Sequence, residues 1–432
     1  ARIESNSFES NPVFAILAQG ISYPPLTATC NWYGTNTVAG VAAKISGSVN
    51  YSPWLTNGTD NSVDIGFQAV PGSCMGMTDV YVNDGSMAND GYTTAIGSDA
   101  TGNGTASAPY ATITKAVNEA MVGANIYVDA GTYQEQVQIG KSLNLIGLDR
   151  TKTFVVAPAS LSSVPWNTAH PIVYAFGNSN TINISNISID GNSGRNTTWF
   201  IGALYYDANG TFTNNKITGI HDVGSFTGAQ RGHAFYAAQS GSLNQTITIS
   251  NNLIDDYQKG GIYVRGLGTN AIITGNTITG QNVAEVTAQN GICIMLGATG
   301  SITGNTVTNN IWNKVEHPHT WMASGILLYQ SGVVTVSGNT LSGNEIALSS
   351  SASVGVIYGV NTFFNNKMHV WLDAATDINP GNVYDKYVLN PAMPEAVFGC
   401  IQYGIDEAAT GNTLNVSPGT FAENVAVHTP VT

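Results

Sequence analysis

The chain has 432 residues, only 9% of them charged, with 48 glycines and a hydrophobic fraction of 43%, a mixture too apolar for a disordered segment. Its 14 Lys and Arg against 27 Asp and Glu give a formal net charge of −13, so it lacks the basic footprint that grips a phosphate backbone, and nucleic acid is excluded as a partner. No stretch reaches the roughly 18 consecutive apolar residues of a spanning helix, and Ala1-Arg2-Ile3-Glu4-Ser5-Asn6 has no charged head leading into an apolar core, so neither a membrane span nor an unprocessed precursor is expected.

The chain opens on Ile3-Glu4-Ser5-Asn6-Ser7-Phe8, which aligns with Ile273-Thr274-Gly275-Asn276-Thr277-Ile278 far downstream. The first residues therefore look like a repeat already under way. Cys30, Cys74, Cys293 and Cys400 are widely separated with no Cys-x-x-Cys pair, which argues against a sulfur-bound metal and leaves buried thiols or a Cys30–Cys74 disulfide open. Asn57, Asn103 and Asn209 each begin an Asn-x-Thr triplet, the acceptor pattern of an exported glycoprotein. Asp84, Asp90 and Asp99 surround a polar loop ending at Thr105; solvated loop carboxylates are the simple reading and a Ca²⁺ site the alternative, with no other cofactor implied.

Ile113, Ala116, Val117 and Ala120 have helical spacing, Gly123 stops the helix, and Asn125-Ile126-Tyr127-Val128 begins a strand. Such a helix can cap the open end of a solenoid. Downstream a phrase recurs at uneven intervals: Ser250-Asn251-Asn252, Thr274-Gly275-Asn276, Thr303-Gly304-Asn305, Ser337-Gly338-Asn339 and Gly359-Val360-Asn361, each followed by Thr or Leu and an apolar residue. Apolar residues alternate with Thr or Ser around it, as in Ile247-Thr248-Ile249, the period-two signature of a half-buried strand. Fixed strands with variable turns predict an all-β, right-handed parallel β-helix with short capping helices. Asn252, Asn276, Asn305, Asn339 and Asn361, with Asn215 before them, form an internal ladder of stacked amides at one corner. In Ile184-Ser185-Asn186-Ile187, the rung position falls to Ile187.

The segments Gly97-Ser98-Asp99, Pro109-Tyr110-Ala111-Thr112-Ile113, Ala130-Gly131-Thr132-Tyr133, Leu143-Asn144-Leu145-Ile146-Gly147 and the Gly-Asn-Thr phrases resemble the pectin-lyase-like family of parallel β-helix proteins over about residues 95–380. The resemblance implies the fold more than an activity, because the family spans polysaccharide lyases, glycosidases, epimerases, phage spikes and surface proteins. Asn31-Trp32-Tyr33-Gly34 and Val49–Leu55 resemble the closing segment of small β-helix domains in archaeal and bacterial surface proteins.

An enzyme of this kind needs charged residues gathered on one face. His221, Asp222, Arg231, His233, Asp255, Asp256, Lys259 and Arg265 are the densest charge in the chain, and His233, Asp255, Asp256 and Arg265 are the catalytic candidates. Asp255-Asp256 offers the two carboxyls of glycoside hydrolysis only if the pair sits in a turn, because neighbours in a strand point to opposite faces. The family's polygalacturonases place paired aspartates before a Gly-His motif and an Arg-x-Lys motif; here Arg231-Gly232-His233 comes first and no such Arg-x-Lys follows, and the lyases' Arg-x-Pro-x-x-Arg is also missing. Glu316-His317-Pro318-His319 offers two histidines on one face of an extended strand but no third ligand. Trp166, Trp199, Tyr205, Tyr206, Trp312 and Trp321 either stack on sugar rings or seal the side of a solenoid.

The end of the chain repeats the solenoid start at an offset of 288 residues (411 − 123). Ile401 matches Ile113, Gly411 matches Gly123, Val416 matches Val128, Gly419-Thr420-Phe421 matches Gly131-Thr132-Tyr133, and Glu423 and Val425 match Glu135 and Val137. The expected organisation is closing coils at 1–75, a linker at 76–108, the main helix at 109–390, and the cap and first coil of a second module at 391–432. Ile3, Asn6 and Phe8 on one side and Ile401, Gly411, Val416, Gly419, Phe421 and Val425 on the other are then assembly surfaces. They predict copies of the same chain joined head to tail in an extracellular, cell-surface filament, sheath or layer, with surface glycans as further partners. The alternative is a secreted lyase or hydrolase of an acidic polysaccharide.

Overall fold

The structure, a computed structural model, describes residues 3–11, 13–18, 26–37, 40, 41, 43–47, 49–51, 53–70, 73, 74, 78–224, 226–241, 244–281, 286–312 and 323–432. Compactness divides the chain into one unit of residues 1–133 with 142–148 and another of 134–141 with 149–432. These boundaries differ from the sequence divisions at 75, 108 and 390.

In the larger unit, short strands are dealt in rotation to three sheets, and each strand pairs in parallel with its equivalent one coil away. One sheet is 12-stranded and runs from Val137–Ile139 to Asn415–Val416. The other two progress from Thr153–Val156 to Val383–Tyr384 and from Thr181–Ser185 to Ile357–Tyr358. Register aligns like with like. Val173, Ala203, Phe235, Ile262, Ile292, Ile326, Leu348 and Val370 form one continuous inward column, all of them buried. A second sheet contributes Ile189, Ile217, Ile254, Ile278, Val307, Leu341 and Phe363 in the same way. Fully burying one such side chain stabilises by roughly 1.5–3 kcal/mol, and a period-two pattern gives each strand at least one. Gly210, at φ +135°, lies so close to the coil below that a Cβ there would meet the Ile182 carbonyl oxygen at 1.9 Å. A side chain is sterically excluded.

The coils are held at their corners by asparagine. The backbone N–H of Asn215 donates to Asn252 Oδ1 (2.9 Å), that of Asn252 to Asn276 (3.0 Å), Asn276 to Asn305 (2.9 Å), Asn305 to Asn339 (2.9 Å) and Asn339 to Asn361 (3.0 Å). From Asn252 to Asn339 the side-chain Nδ2 donates to the same oxygen of the next rung, and also to a carbonyl of the preceding coil, such as Ile273 O for Asn305 at 3.0 Å. The residue before each rung from Asn215 to Asn339 is left-handed, at φ 56° for Asn214, 57° for Asn251, 66° for Gly275, 64° for Gly304 and 69° for Gly338, whereas Val360 before Asn361 is not. That requirement explains why Asn or Gly precedes the rungs from Asn215 to Asn339. The ladder begins where Ile187 N–H donates to Asn215 Oδ1 (3.0 Å).

A second ladder stands at the next corner. Asn310 N–H donates to Asn344 Oδ1 (3.1 Å) and Asn344 N–H to Asn366 Oδ1 (2.9 Å), again after left-handed residues, Asn309, Gly343 and Asn365. Beyond Met368–Trp371 the pairing turns antiparallel, through Ala396–Phe398 and Val388–Leu389 to Asn415–Val416, which interrupts the parallel stack.

In the smaller unit, Asp79–Val82, Asn125–Val128 and Leu143–Gly147 pair in parallel beside helix α1 (Ile113–Glu119). The hydroxyl of Thr112 caps α1 by accepting from Lys115 N–H. Upstream, Ile16–Ala18 pairs in parallel with Ile45–Gly47 and Leu26–Thr27 with Val49–Asn50, around a core of Ile16, Ala28, Tyr33, Val41 and Trp54. Cys30 and Cys74 form a disulfide, whereas Cys293 and Cys400 are free thiols.

Replacing Asn305 by Leu removes the acceptor of the Asn276 backbone N–H and two donors, and is expected to destabilise the fold by about 1–3 kcal/mol. Chemical denaturation of Asn305→Leu measures it; a midpoint equal to that of the parent chain contradicts a bonding role for the rung.

Candidate functional site

The catalytic candidates are placed by different elements and serve different partners. His233 lies on the strand His233–Ala238, 3% exposed. Its ring stacks at 19° on Trp199 with centroids 5.7 Å apart and meets the edge of Tyr263 at 4.6 Å. Burial, and then the charge of Lys259, push its pKa down to about 3, so it is a neutral ring in an aromatic box and its Nδ1 has no partner. Burial raises the pKa of the Tyr236 hydroxyl to about 12 against the opposing charge of Arg265, and its equivalents Leu204, Tyr263 and Cys293 continue the same column on the other face of the sheet.

Asp255 and Asp256 sit at the corner after the strand Leu253–Ile254. Asp256 is the left-handed residue there, at φ 51°, the conformation that Asn309 adopts at the second ladder's first rung. Its carboxylate faces His221 Nε2 at 3.3 Å and accepts from Gln281, while Asp255 pairs with Lys216 at 3.6 Å. Among the described residues no hydrogen bond or ion pair joins His233 to Asp255, Asp256 or Arg265. A third carboxylate, fully buried Asp222, accepts from Arg231, Thr227 and Gln258 and pins the long turn between Lys216–Thr218 and His233–Ala238.

The carboxylates of the opening loop take donors of the chain, except at the buried Oδ1 of Asp90, which has none. Asp84 accepts from Ser86 and Thr132 N–H, Asp99 from Ala111 and Thr112 N–H, and Asp90 from Asn83 Nδ2. Buried Asp129, which sequence reading passed over, takes Gly91, Tyr92 and Thr93 N–H. Among the described residues no three His, Cys, Asp or Glu side chains are grouped to hold a metal. Glu316, His317, His319 and Trp321 lie outside the described residues. Trp166 and Trp199 pack on Tyr206 and Tyr236, sealing the outer face of the 12-stranded sheet, and Tyr205 is wholly internal. Asn103 is exposed, whereas Asn57 and Asn209 are half-buried, their side-chain oxygens accepting from Thr59 and Thr246 N–H.

Further along that outer face the aromatic column gives way to an open groove of about 360 Å³ lined by Leu327, Tyr329, Ser349, Ser351, Trp371, Asp373 and Glu395. Nothing in the repeat phrases marked it, because its residues come from outward positions of three consecutive coils and, at Glu395, from the segment leading into Ala396–Phe398.

The surfaces at the two ends of the sequence carry the most distinctive geometry. Helix α2 (Ile401–Asp406) starts 288 residues (401 − 113) after α1. Gly411 has φ 86° where Gly123 has 85°, and Gly419 158° where Gly131 has 153°. Gly411 N–H donates to Pro430 O as Gly123 N–H does to Ser142 O (2.8 and 2.7 Å), and Thr432 N–H to Asn412 O as Asn144 N–H does to Ala124 O (2.9 and 2.8 Å). Glu423 accepts from Ile401 and Gln402 N–H at 2.7 and 2.9 Å, satisfying two orphan donors at the start of α2. The difference lies in burial. Val128, Val137 and Ile139 are fully buried, but their counterparts Val416, Val425 and Val427 are 48, 44 and 64% exposed.

Residues 3–8 show the complementary pattern. Ser5 has φ 55° and Cys30 54°, the left-handed corner of the ladder, and each precedes an asparagine. Asn6 N–H and Nδ2 both donate to Asn31 Oδ1 (2.9 and 3.1 Å), and Asn31 Nδ2 donates to Ile3 O (2.8 Å), reproducing the Asn252–Asn276 rung. Ile3 and Phe8 pack on the N-terminal core. Sequence reading recognised this coil but missed Asn31 as its second rung.

A model described as a right handed beta helix region matches residues 173–384. The fold over these residues is a right-handed parallel β-helix. Among solved structures this β-helix is similar to a rhamnogalacturonan lyase (14% identity, TM-score 0.40, covering 68% of this chain and 76% of that one). It is also similar to the pectin methylesterase PemA of Erwinia chrysanthemi (9%, 0.36, 73 and 93%) and to the A-module of the mannuronan C-5 epimerase AlgE6 of Azotobacter vinelandii (16%, 0.32, 61 and 72%). These likenesses concern the fold alone. No curated protein matches the sequence. No helix among the described residues is long and apolar enough to cross a membrane.

Because His233 is held neutral, it takes up a proton on unfolding. Its contribution to stability is complete above pH 6.5 and declines as pH falls from there toward 3. His233→Leu is expected to flatten the loss of stability between pH 6.5 and 4.5, measured by urea unfolding; an unchanged slope contradicts its burial as a neutral ring.

Proposed function

We propose that this chain is an extracellular structural protein whose residues 401–432 begin a β-helix module that closing coils from the N-terminal segment of another copy complete. Repeated head to tail, such joints build a filament, sheath or layer. The observation that carries this reading is the exposure of Val416, Val425 and Val427 at positions that are fully buried in the equivalent opening module. Burying each of them in an added coil favours association by about 1 kcal/mol, on top of the backbone pairing of the strands. Low surface charge favours close packing of copies. The Cys30–Cys74 disulfide suits an oxidising compartment.

A second reading, a secreted protein that binds or cleaves an acidic polysaccharide, draws on the groove lined by Tyr329, Trp371, Asp373 and Glu395; such a mix of aromatic and polar lining suits a sugar ring. It receives less support at His233, Asp255, Asp256 and Arg265, whose side chains are committed to separate partners.

Deleting residues 391–432 is expected to convert assemblies into soluble monomers, read by electron microscopy and analytical ultracentrifugation. Intact chains that stay monomeric at high concentration overturn the assembly reading. Asp256→Ala is expected to leave any polysaccharide turnover unchanged, and its abolition in a folded variant instead supports the enzyme.

A further inference from the structure

The groove on the outer face of the 12-stranded sheet carries a charge of the wrong sign for an acidic sugar. We propose that it binds a sugar ring bearing a protonated amine; this rests on the second reading above, the groove as a sugar site, and replaces the acidic sugar by a cationic one.

The shape of the groove follows from register. Two outward columns run along the sheet, one through Cys293, Leu327, Ser349 and Trp371, the other through Arg265, Met295, Tyr329 and Ser351. In each column a serine follows a large side chain, so the coil of Ser349 and Ser351 forms a floor. Leu327 and Tyr329 rise on one side of it and Trp371 on the other. These walls stand two coils apart, roughly 10 Å between backbones, which leaves space for a single ring between them. Tyr329 is 40% exposed and Ser349 8%, as a wall and a floor require.

The charged groups of the lining are Asp373 and Glu395, with no Lys, Arg or His among the described residues there. Asp373 is turned back on the chain: its Oδ2 accepts from Ser350 Oγ (2.7 Å) and Ser353 N–H (3.2 Å), and its Oδ1 from Ala352 N–H (2.7 Å). Glu395 is different. The antiparallel pairing of Trp371 with Ala396, and the bond from Leu372 N–H to the Glu395 carbonyl (3.1 Å), set it beside Trp371, yet its carboxylate has no hydrogen bond or ion pair among the described residues. In the column of Tyr329 the cation is Arg265, two coils away.

A uronate seated in this groove would be desolvated beside two like charges with no base to pair it. A protonated amine is favoured twice, by a charge-assisted hydrogen bond to Glu395 and by the aromatic rings of Trp371 and Tyr329, which attract cations. The hydroxyls of Ser349 and Ser351 supply donors and acceptors for the hydroxyls of the ring.

The test is calorimetric titration of the full-length chain with three tetrasaccharides: glucosamine of the chitosan type, its neutral N-acetylated form, and galacturonate. At slightly acidic pH the glucosamine tetramer is expected to bind about tenfold more tightly than the acetylated one, with an affinity that falls as salt is raised and no binding of the galacturonate. Glu395→Gln is expected to lower the glucosamine tetramer to the affinity of the acetylated one, and Tyr329→Ala to weaken both. Unchanged binding by both variants places the site elsewhere and overturns the proposal. Acetylated tetramer bound as tightly as glucosamine overturns the cationic ligand and leaves the groove as a sugar site. Preference for galacturonate overturns the proposal in favour of an acidic sugar, and binding of none of the three by the parent chain overturns the reading of the groove as well.

Discussion

The fold depends on satisfying backbone polar groups where each coil turns a corner. Along the strands, neighbouring coils take up the backbone N–H and C=O groups within the sheets, but at a corner the chain leaves the ladder and its buried amides would be stranded, at about 1–3 kcal/mol each. A side-chain amide solves this with one residue: its oxygen accepts the N–H of the coil before, and its NH₂ reaches both the next rung and a carbonyl of the coil below. Because the same solution is repeated, the coils stack in fixed register, and apolar residues of equivalent position fall into columns without further specification. Insertions between rungs are tolerated because they leave the corner untouched.

That constraint also assigns most of the charge. Asp256 occupies a left-handed corner, Asp222 holds a long turn through Arg231 and Gln258, and Asp99 and Asp129 gather backbone N–H groups around the opening loop. Among the charges that stand out in the sequence, Asp222, Asp255 and Asp256 are held at turns by groups of the chain itself. His233 reinforces the point: set among Trp199, Tyr236 and Tyr263, it is part of an apolar seal over the sheet.

The same logic applies to the repeated opening module. A solenoid coil is stable when both its edges are paired, and the equivalence between residues 113–144 and 401–432 extends to individual hydrogen bonds and glycine torsions. The two copies of the opening module differ in what covers them, and that difference is the physical basis of the assembly proposed here.

The sequence by itself determined the fold class, the principal ladder, α1 and the repeat at residue 401, because each depends on short-range pattern: alternation of apolar residues, a left-handed corner before a rung, helical spacing closed by glycine. The second ladder follows the same local rule, since Asn309-Asn310, Gly343-Asn344 and Asn365-Asn366 each place an Asn after a left-handed residue, five positions beyond Asn305, Asn339 and Asn361. Tertiary structure alone decided which charges meet, because Asp222 and Gln258, or Trp166 and Tyr236, are neighbours only through coil stacking and irregular turn lengths that set no spacing in the sequence. It alone decided burial as well. Val128 and Val416 are the same residue in the same local pattern, and only the presence or absence of an adjoining coil makes one a core residue and leaves the other open to water.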